Sequence, residues 1–135
     1  MNVADAAHRW AEVWQRGWNE RDVQSIVALY AEGATFSTEP FRDPFVGPEG
    51  VRRYVTQAFA EEEQAVASFG QPIVEEDRAA VPWWASMIEN GAPVTLAGTS
   101  LLRFDDNGLV VEQWDTWNQH PGRRDAPAWL RRSSG

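Results

Sequence analysis

The sequence predicts an α+β fold in which a cone-shaped, curved, mostly antiparallel sheet wraps around three N-terminal helices. Three observations carry that expectation. Helical apolar periodicity is confined to roughly the first sixty residues. From about Ala65 the chain turns sheet-like, punctuated by Asn90-Gly91 and Asn107-Gly108, dipeptides that favour tight hairpins. Three helices cannot cover both sides of a long sheet, so a twisted sheet curls around them and leaves a conical interior. Such an interior is where a small molecule binds.

The first helix spans Val3 to Trp18. Trp10, Trp14 and Trp18 recur at every fourth position and place three indoles on one face. Asp22 is an N-cap for a second helix, Val23 to Tyr30. A short strand follows at Ala34 to Ser37. Glu39 to Phe45 is irregular, because Pro40 and Pro44 break any continuous ladder. A third helix runs from about Val51 to Glu61, with Val51, Tyr54, Val55, Ala58 and Phe59 as its apolar stripe. Four strands are then expected, at Phe69–Glu76, Arg78–Ile88, Val94–Phe104 and Leu109–Gln119. The last is the most informative. Alternation places Val111, Gln113, Asp115 and Trp117 on one face and Val110, Glu112, Trp114 and Thr116 on the other.

A chain of 135 residues is one domain on length and buries roughly two thirds of its unfolded surface. Residues 1–120 read as that domain and residues 121–135 as an irregular basic tail, with Trp129 and Leu130 as an anchor. Hydrophobic content of 43% and eight Trp argue for a packed core. There is no Cys, which removes disulfides, thiolate ligands and a Cys nucleophile and fits a cytoplasmic protein. No signal peptide and no membrane span is predicted. Every basic residue is Arg, so Schiff-base chemistry on a Lys is excluded. Net charge is −8, with +3 from His120 onward and −11 before it. A body that acidic repels phosphate backbones and argues against nucleic acid as a partner. His8 and His120 are isolated, so no metal site is expected.

The segments DVQSIVALYAEGATF, GPEGVRRYV and RAAVPWW, followed by NGAPVTLAGTSLLRFDDNGLVVEQWDTW, stand in an order and spacing that resembles the nuclear-transport-factor-2-like superfamily. That superfamily includes ketosteroid isomerases, scytalone dehydratase, limonene epoxide hydrolase and SnoaL-like polyketide cyclases. The resemblance covers about Trp10 to Asn118. It implies a mixed, cone-shaped sheet with a deep pocket, and a homodimer formed through the outer sheet face. Set beside ketosteroid isomerase, Trp14 falls where that enzyme has its oxyanion-binding Tyr and Ser100 where it has a protonated Asp. Glu39-Pro40 falls near its catalytic Asp-Pro. All three positions differ in type, although Trp14 and Ser100 remain donors and Glu39 remains able to move a proton. The same comparison turns Trp83, Ala85, Met87, Gly98, Ser100, Leu102, Gln113, Asp115 and Trp117 toward the pocket.

SnoaL-like cyclases are similar in using an acidic residue within a largely apolar cavity, and here that residue is Asp115. Walled by Trp83, Trp117 and Met87, its carboxyl is expected to be desolvated, with a raised proton affinity. The expected site therefore has Asp115 and Glu39 as catalytic groups. Trp14, Trp18, Tyr30, Tyr54, Trp83, Met87, Ser100, Leu102, Gln113 and Trp117 form the substrate wall. The resemblance implies a cofactor-free isomerase, cyclase, dehydratase or hydrolase acting on a small apolar or polyketide- or steroid-like molecule. The alternative is a non-catalytic ligand-binding or dimerisation module of the same fold, in which Asp115 is a structural carboxylate.

Overall fold

The computed structural model describes residues 1–130. Helix α1 spans Val3–Glu20, its first turn capped by Asn2, whose Oδ1 accepts from the Asp5 amide at 2.8 Å. It ends at Arg21 in the left-handed conformation. Helix α2 is short, Val23–Val27, with Asp22 as its N-cap. Strand β1 is Tyr30–Ser37, β2 is Phe45–Val46, and helix α3 is Gly47–Glu61. Strands β3 (Glu62–Phe69), β4 (Ile73–Glu75), β5 (Arg78–Glu89), β6 (Ala92–Phe104) and β7 (Val110–Pro121) complete the chain. One sheet forms in the order β2-β1-β7-β6-β5-β3, with β4 added alongside β5. The β1–β7 pair is parallel and the other pairs are antiparallel. The sheet is curved and unclosed and wraps the three helices as a cone.

The tryptophan face of α1 packs into the concave side. Trp10, Trp14 and Trp18 are all buried, and Trp14 stacks on Trp18 with ring centroids 5.5 Å apart. Gly17 lets α2 approach, since a Cβ there would lie 2.8 Å from Ile26 Cγ1. Side chains of α1 also cover the free edge of β3. Asn19 pairs with both backbone groups of Ala67, at 2.8 and 3.2 Å, and Gln15 Oε1 accepts from the Phe69 amide at 2.9 Å. These contacts satisfy edge groups over the last three residues of β3, which are thereby closed to another strand.

Several boundaries differ from the sequence expectation. The strand expected at Phe69–Glu76 is two: β3 begins seven residues earlier and ends at Phe69, and within the rest of the expected stretch Ile73–Glu75 pairs separately, as β4. Gly70 and Pro72 interrupt the two, and Gly70 N donates instead to Pro82 O. Helix α2 stops at Val27 because Tyr30 already belongs to β1. Helix α3 starts at Gly47, with Pro48 in its first turn, where a missing amide costs nothing. The two-face reading of β7 holds for Gln113, Asp115 and Trp117 but not for Val110. A bulge opposite Arg103–Phe104 turns Val110 fully inward and leaves Val111 half-buried. In the last described segment Leu130 is buried and Trp129 is exposed, while Trp84 Nε1 donates to Arg124 O at 2.8 Å. Residues 131–135 lie outside the described residues.

One glycine sets the packing of the inner face. Gly98 sits between Trp83 on β5 and Trp117 on β7. A Cβ there would lie 2.3 Å from Thr116 O, 2.6 Å from Trp117 Cβ and 2.9 Å from Trp83 Cζ2. Two indoles therefore flank a position that has no room for a methyl group. Gly98→Ala is expected to cost about 1–3 kcal/mol, the usual range for overpacking. Urea denaturation checks this, and an unchanged midpoint would show that the two indoles move apart freely.

Candidate functional site

The β6–β7 hairpin builds the site. Asp105 Oδ1 accepts from the amides of Asn107 and Leu109 at 2.9 and 3.0 Å, and Gly108 supplies the positive φ the turn requires. The resulting register sets Ser100 directly opposite Asp115, Leu102 opposite Gln113 and Gly98 opposite Trp117. Directly opposed side chains on one face touch. Ser100 Oγ donates to Asp115 Oδ1 at 2.6 Å, and Gln113 Nε2 donates to the same oxygen at 3.1 Å.

Behind these two donors stands a relay with one direction. Trp83 Nε1 donates to Ser100 Oγ at 3.1 Å. Tyr30 OH donates to Gln113 Oε1, and itself accepts from Trp10 Nε1 at 3.3 Å and Trp14 Nε1 at 3.1 Å. An indole N–H can only donate, so each hydroxyl it serves must send its own proton onward. Both branches terminate on Asp115 Oδ1. The other oxygen, Oδ2, accepts no hydrogen bond from the described residues.

Asp115 is 8% exposed and Gln113 is 2% exposed, yet no cation accompanies the carboxyl: every ion pair among the described residues lies at the surface and none includes it. Burial pushes the Asp115 carboxyl up from an ordinary 3.8 to about 7, against the opposing pull of the Ser100 and Gln113 hydrogen bonds. Burial also raises the Tyr30 and Tyr54 phenols, which stay protonated throughout the neutral range.

Asp115 faces an aromatic cavity with about 620 Å³ of empty space, its open mouth included. The structure brings Trp14, Trp18, Tyr54, Trp83, Met87, Ser100, Gln113 and Trp117 to that wall together with Asp115. It does not bring Glu39, Tyr30 or Leu102 there. Glu39 is an exposed loop residue 3.8 Å from Arg42 Nη1, because the Pro-broken segment after Thr38 leaves its side chain facing solvent. Tyr30 stands behind Gln113, and Leu102 is buried in the core. The donors of Ser100 and Trp14, expected to face a ligand, are committed to Asp115 and Tyr30. Trp117 Nε1 is likewise committed, to Thr38 O at 2.7 Å.

The cavity wall also includes Trp10, Phe36, Phe69 and Glu62, none of which the sequence reading placed there. Glu62 lies in the run Glu61-Glu62-Glu63, which reads as a solvated charge cluster. Only the switch from α3 to β3 within that run turns one carboxyl inward. Burial pushes Glu62 up to about 7, with the Trp18 indole as the largest opposing influence. Among the described residues, no group of three or more His, Cys, Asp or Glu could hold a metal ion, and no helix is long and apolar enough to cross a membrane.

Comparison with known proteins places this geometry in context. A family model described as SnoaL-like domain matches residues 9–113. The solved structure of SalBIII, described as an epoxide hydrolase/cyclase-like enzyme with a role in pyran ring formation in polyether salinomycin, is similar with a TM-score of 0.74 and 22% identity. That match covers 84% of this chain and 91% of the other. RV0760c from Mycobacterium tuberculosis aligns with a TM-score of 0.76 at 15% identity, covering 90% and 99% of the two chains. A hypothetical protein with a ketosteroid isomerase-like fold from Catenulispora acidiphila DSM 44928, in complex with trimethylamine, aligns at 0.71 with 14% identity, covering 85% and 86%.

The two raised carboxyls carry a stability consequence. Asp115 and Glu62 both titrate near pH 7 in the folded chain, against ordinary values of 3.8 and 4.5. The folded state therefore keeps protons that the unfolded chain has released. Their contribution is fully present below about pH 4 and is lost as pH rises through about 7. Unfolding free energy from urea titrations is expected to fall between pH 5 and pH 8. In Asp115→Asn that fall should shrink by on the order of 2 kcal/mol. An identical slope in the variant would mean that Asp115 is not the desolvated group.

Proposed function

The chain belongs to the SnoaL-like domain family, and from that premise we propose that it is a cofactor-free acid–base enzyme acting on a small, mostly apolar, oxygen-bearing molecule of polyketide- or steroid-like character. The reaction class is isomerisation, cyclisation, dehydration or hydrolysis. One observation carries the reading: a cation-free carboxyl, titrating near 7, whose Oδ1 is held by two donors while its Oδ2 accepts no hydrogen bond from the described residues.

The chemistry follows from the two protonation states. Ionised Asp115 removes a proton from carbon beside a carbonyl. The electron pair moves onto the carbonyl oxygen, and Tyr54 donates to it, a role supported by its being a protonated phenol in the same cavity wall. Protonated Asp115 delivers that proton to a neighbouring carbon, or protonates an epoxide oxygen while water or a hydroxyl of the same substrate attacks the ring carbon, breaking the C–O bond and releasing its own proton to solvent. The Ser100 and Gln113 donors fix the carboxyl plane in both states, so no reorganisation accompanies proton transfer. An epoxide is favoured among the substrates by the description of SalBIII. The same reading takes residues 1–120 as the catalytic domain and a homodimer as the working form. Support for the homodimer comes from exposed Val66, Ile73, Leu101 and Trp114 on the sheet strands. It takes the cytoplasm as the location, in keeping with a chain that has no Cys.

A panel of ketones, epoxides and polyketide-like lactones, followed by mass spectrometry, tests the reading. Wild-type protein is expected to turn over at least one of them, with kcat/KM inflecting near pH 7. Asp115→Asn should keep ligand affinity and fold while losing about 10²–10⁴ in rate, the usual contribution of a positioned acid or base. Full turnover by the variant would eliminate Asp115 as the proton-moving group. Binding across the panel with no turnover would identify a ligand-binding module instead.

A further inference from the structure

Tyr30 does not line the cavity, yet every contact of its hydroxyl constrains Asp115. The Tyr30 oxygen accepts from Trp10 Nε1 and Trp14 Nε1, and its proton goes to Gln113 Oε1. The two indoles converge on one oxygen because they stand one helical turn apart, with ring centroids at 5.7 Å. A phenol oxygen has two places for incoming donors and one proton to give. Both places are filled by indoles, so the proton has one destination, the amide oxygen of Gln113. All four side chains of this junction are buried, so bulk water does not compete for these bonds.

The consequence falls on Gln113. An amide has a donor end and an acceptor end of nearly the same shape, and its neighbours decide which way it turns. Tyr30 claims Oε1 and so turns Nε2 toward Asp115 Oδ1, 3.1 Å away. The reversed amide would set Nε2 against a hydroxyl with no acceptor place left, and Oε1 against the carboxyl. That arrangement is favourable only while Asp115 is protonated and donating. The orientation of the amide and the ionisation of the carboxyl are therefore linked. The donors also select the oxygen that takes the proton. Gln113 and Ser100 both serve Oδ1, so the proton is left to Oδ2.

We propose that Tyr30 is a positioning residue: by holding Gln113 Oε1 it keeps the amide N–H turned toward Asp115, which favours the ionised carboxyl and confines the exchangeable proton to Oδ2. The inference rests on the acid–base reading for its catalytic meaning, and the linkage itself needs no substrate. Tyr30 from β1 and Tyr54 from α3 are the phenols that face this carboxyl, and both stay protonated through the neutral range. Glu62 from β3 lines the same cavity and titrates near 7. Among the described residues of the cavity wall, α1, β5 and β6 present no charged side chain. Only Glu62 therefore has to be separated from Asp115 in a titration.

NMR titration with carbon-labelled Asp and nitrogen-labelled Gln provides the test and leaves Glu62 silent. In the wild type the Gln113 side-chain N–H signals, assigned through the backbone, are expected to titrate with the same midpoint as the Asp115 carboxyl carbon. Tyr30→Phe keeps the ring and removes the hydroxyl. It should raise the Asp115 midpoint by about one pH unit, roughly a tenfold gain in proton affinity. Gln113→Leu should do the same. The double variant should go no further than either alone, since both changes break one chain of contacts. For any substrate turned over, the inflection of kcat/KM should move with the midpoint. Near-UV circular dichroism reports whether each variant folds, and the wild-type titration decides the matter if Tyr30→Phe does not. Gln113 signals that do not sense Asp115, a midpoint unmoved in folded Tyr30→Phe, or shifts that add in the double variant would each overturn the proposal. The NMR readings need no substrate, so absent turnover leaves this linkage standing, and its failure leaves Asp115 free to act as acid or base.

Discussion

The site depends on burying one carboxyl without a counter-ion. A desolvated carboxylate with no partner is strongly disfavoured, and a buried arginine would restore its charge at the expense of its proton affinity. This fold takes a third route. Two neutral donors hold Asp115 Oδ1, and each is fixed by indole N–H groups further out. The donors pull the proton affinity down and burial pushes it up further, so the balance lies near 7. A carboxyl balanced there changes state with small changes in its surroundings, including the arrival of a ligand that expels water.

That balance explains why tryptophan is so abundant on the inner surface. Trp10 and Trp14 belong to the apolar stripe of α1, yet each also aims its one donor at Tyr30. Trp83 crosses the space above Gly98 and aims its donor at Ser100. Each indole fills core volume and supplies one unidirectional hydrogen bond, a combination no aliphatic residue offers. Core packing and the electrostatics of the site are thus the same set of contacts. A change that loosens the helix against the sheet also changes the polarity of the relay.

Much of this was legible in the sequence. The Asn-Gly turn fixed the phase of β7, and alternation from it correctly grouped Gln113, Asp115 and Trp117 on one inner face. The failures have physical causes. Val110 departs from alternation because a bulge inserts a residue, and no periodicity announces a bulge. The pairing of Ser100 and Trp14 with other protein groups depends on rotamers and on a neighbour 83 residues away from Tyr30, which sequence spacing does not encode. Glu39 was singled out because Glu39-Pro40 falls near the catalytic Asp-Pro of ketosteroid isomerase, but its side chain is exposed and pairs with Arg42 rather than lining the cavity. Glu62 was hidden in an acidic run where only the helix-to-strand switch decides which carboxyl turns inward.

The parallel pairing of β1 with β7 has a consequence for how the chain comes to exist. Tyr30 enters the sheet through a partner strand that begins at Val110 and bonds to Gln113 within it. During synthesis from the N-terminus, α1 with its three indoles and the whole of β1 are complete long before that partner leaves the ribosome. Contacts of such long sequence separation form late, and apolar surface waits exposed until they do. Final closure of the sheet and assembly of the carboxyl relay are therefore one event in folding. A nascent chain that stops short of β7 lacks the catalytic candidate, and it also carries an unmatched tryptophan face, a ready target for chaperones and proteases.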